Sequence, residues 1–376
     1  MTIITAMLLD AYRALNARKL FWLTLALSVI VVLSYGSIGF NEEGMSLFFG
    51  LKQIDSDFIR EGSPWARALY MGIFSDFVVT VWLGWVATII ALISTTTIFP
   101  DFMAQGAIDL VLAKPITRVR LFVIKYLTSL LFVLLQVTVF CVGIFLCVGG
   151  RLDEWNWKIF LGIPLVTVFY SYLYSINVVL GVTTRSALAA LMLTMLMWFS
   201  LWSVQTSEGV LNQFKITTDV QVERADEEIQ DFQARLASIT DDQSEQRDSV
   251  QRQLEQAQAE REQPAKINAS LTKWHRRVEL IQAPMPKTGL TVALLSRSLK
   301  DPEGFSIMAM MRGDMSAGFG GDGAGAGGSD RLDAEASRRL EAYYDGISPW
   351  FIIGSSIAFE IVVLTIACFI FVRRDY

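Results

Sequence analysis

Residues 121–148 read LFVIKYLTSLLFVLLQVTVFCVGIFLCV, a run in which Lys125 is the lone charge. A helix rises 1.5 Å per residue and the hydrocarbon core of a bilayer is roughly 30 Å deep, so about 20 apolar residues suffice to cross it. This run exceeds that length, which implies a tilted or emergent span. Working outward, Leu20 to Ile38, Phe77 to Phe99, Ile159 to Val182, Leu188 to Val204 and Trp350 to Val372 are apolar enough to do the same. The sequence therefore predicts an all-α polytopic membrane protein with six transmembrane helices.

Composition supports this division. Of the 376 residues, 53% are hydrophobic and 18% charged, against about a quarter charged in soluble domains. The charge that exists is concentrated in one block between the fifth and sixth spans. The run beginning at Leu20 is too long for a signal peptide and lacks a small-residue cleavage pattern, so it is expected to be a retained span. Short loops set orientation. Arg13, Arg18 and Lys19 precede span one, Lys114, Arg118, Arg120 and Lys125 cluster between spans two and three, Arg185 follows span four, and Arg373 and Arg374 follow span six. Six spans put all of these on one side, and the positive-inside rule makes that side, with both termini, cytoplasmic.

Residues 205–347 then form an extracytoplasmic insertion. Val222, Ala225, Ile229, Phe232, Leu236 and Ile239 alternate spacings of three and four, a heptad seam that resumes at Val250, Leu254 and Ala257. Both ends of the block return to one membrane face, which favours an antiparallel coiled-coil hairpin over residues 218–263 rather than one long rod, with Pro264 ending it. Leu290 to Leu299 is amphipathic and suits a membrane surface. Residues 315–329 are glycine-rich and read as a flexible tract, and Asp330 to Tyr344 as a short helix. A module that binds a partner or gates a substrate and a decoration with no role in transport both fit this block.

The segment between spans two and three carries the most information. Asp101, Gly106, Asp109, Lys114, Pro115, Thr117 and Arg118 surround a short apolar stretch, Leu110 to Leu112. This predicts a surface helix at residues 100–120, turned by Lys114-Pro115 because proline disfavours helix in the residue before it. The string resembles the permease subunits of type-2 ABC transporters, in particular the six-span branch that includes the nitrous-oxide-reductase maturation permease. Phe371, Arg373, Arg374 and Asp375 resemble the closing signature of that branch. Gln105 and Ala107 depart from its usual residues beside the glycine.

The resemblance implies that residues 100–120 are a coupling helix docked on a separate cytoplasmic ATPase subunit, which binds the ATP and magnesium. This chain would need no cofactor of its own. Asp101 and Asp109 would pair across the interface, Gly106 would allow close approach, and Arg118 would anchor the helix. Residues 1–19 would be an interfacial elbow, with Ile4, Met7, Leu8, Tyr12 and Leu15 forming its apolar stripe. Half of the usual span complement implies two permease chains, a homodimer in the cell inner membrane, with lipid as the remaining partner. A complex doing mechanical work through the outer hairpin and a membrane sensor or scaffold stay open as alternatives to an exporter.

Glu360, near the middle of span six, is the costliest residue in the spans. It fits either an acid on a translocation path or a neutral acid hydrogen-bonded between helices. Asn177 in span four and Gln136 in span three are its candidate partners, while Tyr170, Tyr172 and Tyr174 suit packing. No G-x-x-x-x-G-K-[ST] string occurs, so no ATPase site is expected. One histidine, His275, and three scattered cysteines give no zinc pattern. No basic patch points to nucleic acid.

Overall fold

The computed structural model describes residues 19–55, 59–103, 117–239, 244–299 and 328–373. The described residues contain six helices long and apolar enough to cross a membrane. These are α1 (Lys19–Gly36), α2 (Trp65–Phe102), α3 (Arg118–Leu152), α4 (Gly162–Thr184, entered by a 3-10 turn, Trp157–Leu161), α5 (Ala187–Ser238) and, last in the chain, α9 (Pro349–Arg373). Between the last two lie α6 (Ser244–Gln282), α7 (Thr288–Leu299) and α8 (Gly328–Asp345). The chain divides into two compact units, Met1–Ser200 with Pro286–Gly320 and Pro349–Tyr376, and Leu201–Met285 with Gly321–Ser348.

The first unit is a helical bundle in which α1 and α3 approach closely through glycines. A Cβ on Gly143 would lie 2.8 Å from Val32, and one on Gly36 would lie 2.8 Å from Cys147 Sγ. Small residues at such crossings let backbones meet where lipid supplies no hydrophobic drive. Polar groups close the same contact. Gln136 Nε2 donates to Thr24 Oγ1, and Arg151 donates to the Gly36 carbonyl at 2.8 and 2.9 Å, satisfying an end of α1.

α2 starts earlier than hydropathy suggested. Ser63 caps it by accepting from the Ala66 amide at 3.1 Å, and Pro64 occupies the first turn, where its missing N–H costs nothing. Residues Ile73–Ala87 of α2 are wound as a π-helix. There the hydroxyls of Thr80 and Thr88 donate to the carbonyls five residues back, Ser75 at 3.2 Å and Leu83 at 2.8 Å.

Three features depart from the sequence reading. Residues between α1 and α2 form a small antiparallel sheet, β1 (Gly39–Asn41), β2 (Gly44–Leu47) and β3 (Lys52–Asp55), in the order β1-β2-β3. Gly44, paired with Asn41, has φ +145°, a conformation a side chain would resist. α7, expected on the membrane surface as part of the insertion, belongs to the bundle unit. It buries Thr291, Leu294 and Leu295 and lies against α4 and α2, with Leu295 beside Gly162 and Val292 beside Gly84.

Pro264 is the third departure, because it does not end its helix but lies inside α6. The helix survives the lost hydrogen bond because contacts to α5 hold it on both sides of the proline. Arg261 pairs with Asp226, and Asn268 donates to Asp219 at 2.5 Å. Further along, His275 meets Glu208 at 3.0 Å, so α5 and α6 run antiparallel. α8 joins them through Arg339, which binds Glu223 at 2.6 Å, and Glu335, which binds Arg224 at 2.9 Å.

Candidate functional site

Glu360 sits on α9 between α3 and α4. Tyr126 Oη donates to its Oε1 at 2.6 Å and Ser171 Oγ donates to its Oε2 at 2.7 Å. No lysine or arginine among the described residues pairs with it. Each of the two hydroxyls also has a backbone acceptor in reach. Tyr126 Oη is 3.1 Å from the Ser171 carbonyl and Ser171 Oγ is 2.8 Å from that of Val168. A hydroxyl has one proton to give. Both can aim at an ionised Glu360, and either can turn to its carbonyl when the carboxyl holds a proton. The cluster is built to serve both forms of the acid.

Buried hydroxyls continue from it. The Tyr126 ring stacks on Tyr174 with centroids 5.5 Å apart, and Tyr174 stacks on Tyr170 at 5.6 Å. Tyr174 Oη shares a hydrogen bond with Ser129 at 2.7 Å, and Tyr170 Oη with Thr95 at 2.5 Å. Tyr170 in turn lines a cavity of about 20 Å³ together with Thr24, Ser28, Thr88 and Gln136, space enough for about one water. Tyr170 and Tyr174, assigned by their sequence to packing, therefore also hold buried hydroxyl hydrogen bonds. Their spacing gave no sign of it, since Tyr170 and Tyr174 read equally well as a helical apolar face.

The two residues expected to partner Glu360 are elsewhere. Asn177 is six residues past Ser171, about 9 Å along α4, and its Nδ2 donates to Thr96 and Thr194 at 3.1 Å each. Gln136 donates to Thr24 on α1. Each amide ties different helices, α2 to α4 to α5 and α1 to α3, and neither reaches the acid.

Of the coupling residues, Gly106, Asp109, Lys114 and Pro115 lie outside the described residues, as do the elbow at 1–18 and Arg374 and Asp375. The flanks are described. Asp101 is exposed at the end of α2. Thr117 caps α3, accepting from the Arg120 amide at 3.4 Å. Arg118 Nη1 donates to the Val372 carbonyl at 3.0 Å, at the end of α9. Phe371 lies between Phe102 and Phe122, with ring centroids 6.3 and 5.7 Å away, and Lys125 stands 5.3 Å over Phe102. Phe102 and Arg118, on either side of residues 104–116, are thus fastened to the last span by one aromatic cluster and one charged hydrogen bond. Phe102 and Phe122 were legible only as apolar residues and Phe371 only as part of the closing signature, and their meeting is a product of the fold.

A family model described as ABC-2 family transporter protein matches residues 9–376. The chain belongs to this family. Neither the curated proteins nor the solved structures give a match. As an ABC-2 family member with six apolar helices, the protein is a multi-pass membrane permease.

Proposed function

We propose that this chain is the permease subunit of an ATP-driven exporter, working with a separate cytoplasmic ATPase that binds ATP and magnesium. The reading places residues 100–120 as the coupling segment, both termini in the cytoplasm, and two permease chains in the cell inner membrane. Within the ABC-2 family, Asp101, Gly106, Asp109 and the Lys114-to-Arg118 string favour the six-span branch named above. The observation that carries the reading is the Arg118–Val372 contact with the packing of Phe371 between Phe102 and Phe122. A pull on residues 104–116 has a short physical route into α9, which bears Glu360. Closure of the ATPase pair would then shift the bundle between two packings, and Glu360, held by neutral hydroxyls, would meet the solute.

The test is capture of an ATPase by the tagged full chain. The double variant Gly106→Trp/Asp109→Lys is expected to lose that ATPase while retaining membrane insertion; unchanged capture would sink the docking claim. A second reading has one observation in its favour, because α5 is a single unbroken helix of 52 residues. Such a rod could deliver ATP-driven motion to an envelope partner without carrying solute. Removing Thr218 to Gln263 separates the two, since an exporter of small solutes would keep exporting.

A further inference from the structure

The polar unit carries one helix face that water does not suit. On α6, Ile267, Trp274 and Ile281 are spaced by seven residues and are 52%, 55% and 55% exposed. Lys273 and Arg277, also exposed, interleave with them, and the Arg277 guanidinium lies 5.1 Å from the Trp274 ring centre. At 100° per residue these five side chains fall within about a third of the circumference, along roughly 21 Å of helix. The opposite face is the one that meets α5, through Arg261, Asn268 and His275. Among the described residues of the second unit the outward stripe stays exposed.

Charge changes sign along the same helix. Residues 266–281 hold four basic side chains and one acidic, whereas residues 244–263 hold three basic and five acidic. The basic, aromatic end is also the end from which the chain returns, within a few residues of Gln282, to helix α7 of the membrane bundle. Interfacial helices combine these elements: apolar side chains reaching the acyl boundary, tryptophan at headgroup level, and lysine and arginine on anionic lipid.

We infer that the outward stripe of α6 around Trp274 is a membrane-contact surface that binds anionic phospholipid headgroups. A second copy of the chain is the poorer occupant. A two-fold contact sets a patch against itself, and here that would oppose Lys273 and Arg277 to their own kind. On lipid the same residues stretch their aliphatic stems beside the apolar ones and place their charges among phosphates. The surface stands apart from the export reading and needs only that the chain be embedded in a bilayer.

Ser270 lies on the stripe and Gln253 on the polar, exposed part of α6. With Cys141, Cys147 and Cys368 replaced by alanine, a spin label is placed by Ser270→Cys or Gln253→Cys in the full chain. Each is reconstituted in nanodiscs of phosphatidylglycerol or phosphatidylcholine. The label at 270 is expected to be shielded from an aqueous nickel chelate and open to oxygen in phosphatidylglycerol, and more accessible to the chelate in phosphatidylcholine. That shielding is expected to be lost in the Lys273→Gln/Arg276→Gln/Arg277→Gln variant, while the label at 253 stays water-accessible throughout. Equal chelate access at 270 and 253 in both lipids overturns the inference. So does shielding that ignores headgroup charge, or dipolar broadening that reports a second copy against the stripe.

Discussion

The bundle gives its buried polar side chains neutral partners, whereas the hairpin unit holds half-exposed ones in ion pairs. Within the bundle the partners of these side chains are neutral, namely hydroxyls on Glu360, a threonine pair on Asn177, a threonine on Gln136, and tyrosine with serine or threonine, while Arg151 and Arg118 serve carbonyls at helix ends. In the hairpin unit they are ions, with Arg261 on Asp226, Arg339 on Glu223 and Glu335, and Arg224 on Glu335. The surrounding solvent explains the difference. A charge pair in lipid must offset the desolvation of both ions, while in water such pairs cost little and contribute little. Neutral donors can also serve an acid in either protonation state, which a fixed arginine beside Glu360 would not do.

If close packing rather than polar pairing dominates the bundle, the largest loss comes from a glycine. Gly143→Leu pushes side-chain atoms into Val32, already 2.8 Å from a Cβ at that position. It is expected to cost about 3 kcal/mol, since overpacking a rigid contact forces side chains off their rotamers. Unfolding of the full chain by titration with a denaturing detergent reads this directly. A loss no greater than that of an exposed control such as Gly150→Leu, where a Cβ meets nothing within 4 Å, would put polar pairing ahead of packing.

Next in size is Tyr126→Phe, which removes a donor from Glu360 and is expected to cost about 2 kcal/mol in the same assay, as for a hydrogen bond to a charged group. Glu360→Gln keeps an acceptor for one hydroxyl and should cost less. If Glu360 lies on the path, that variant loses export while the partner's ATPase rate persists. Wild-type export by Glu360→Gln would reduce the acid to a packing role. In the hairpin, His275→Ala leaves Glu208, whose side chain is 12% exposed, without its partner and is expected to cost about 1 kcal/mol, seen as faster hydrogen exchange in the adjoining turns of α5 and α6.

Hydropathy made the spans legible because the bilayer imposes a length on apolar runs, and six runs meet it. It could not say where helices end. α5 continues far past Val204 because nothing in its sequence breaks it, and α2 begins before Phe77 because Ser63-Pro64 is a start signal that hydropathy ignores. The contacts that set α5 against α6 are polar ones, Asp226 with Arg261, Asp219 with Asn268 and Glu208 with His275, outside the heptad seam, and those on both sides of Pro264 outvote one missing hydrogen bond. The three strands are each four residues or fewer, too short for an alternation to stand out. At the candidate site, Glu360 was visible as a misplaced charge, but its partners were not. Tyr126 and Ser171 differ from Gln136 and Asn177 in their height along α3 and α4 and in how those helices are rotated against α9, which is a tertiary fact.

The smallest expected effect is on the charged side of the comparison and depends on pH. Glu335 takes hydrogen bonds from Arg224 and Arg339, which hold its carboxyl below the usual range. A detached Glu335 therefore binds a proton more readily than the paired one. The sign follows: the contact between α5 and α8 is at full strength above the ordinary glutamate value of about 4.3 and is lost as pH falls through the lowered one. Because the pair is more than a third exposed, solvent screens it, and the change is a loosening of α8 rather than unfolding of the unit. Spin labels at Gln221→Cys and Ser337→Cys are expected to give a broader distance distribution below about pH 4, and a similar broadening at neutral pH in about 1 M salt, where the Debye length falls to roughly 3 Å. A distribution unchanged by acid and by salt would mean that apolar contacts, with Ala336 buried at the centre of the face, hold α8 without help from its charges. The hairpin unit would then be stabilised as the bundle is, and the contrast between the two would be one of surface alone.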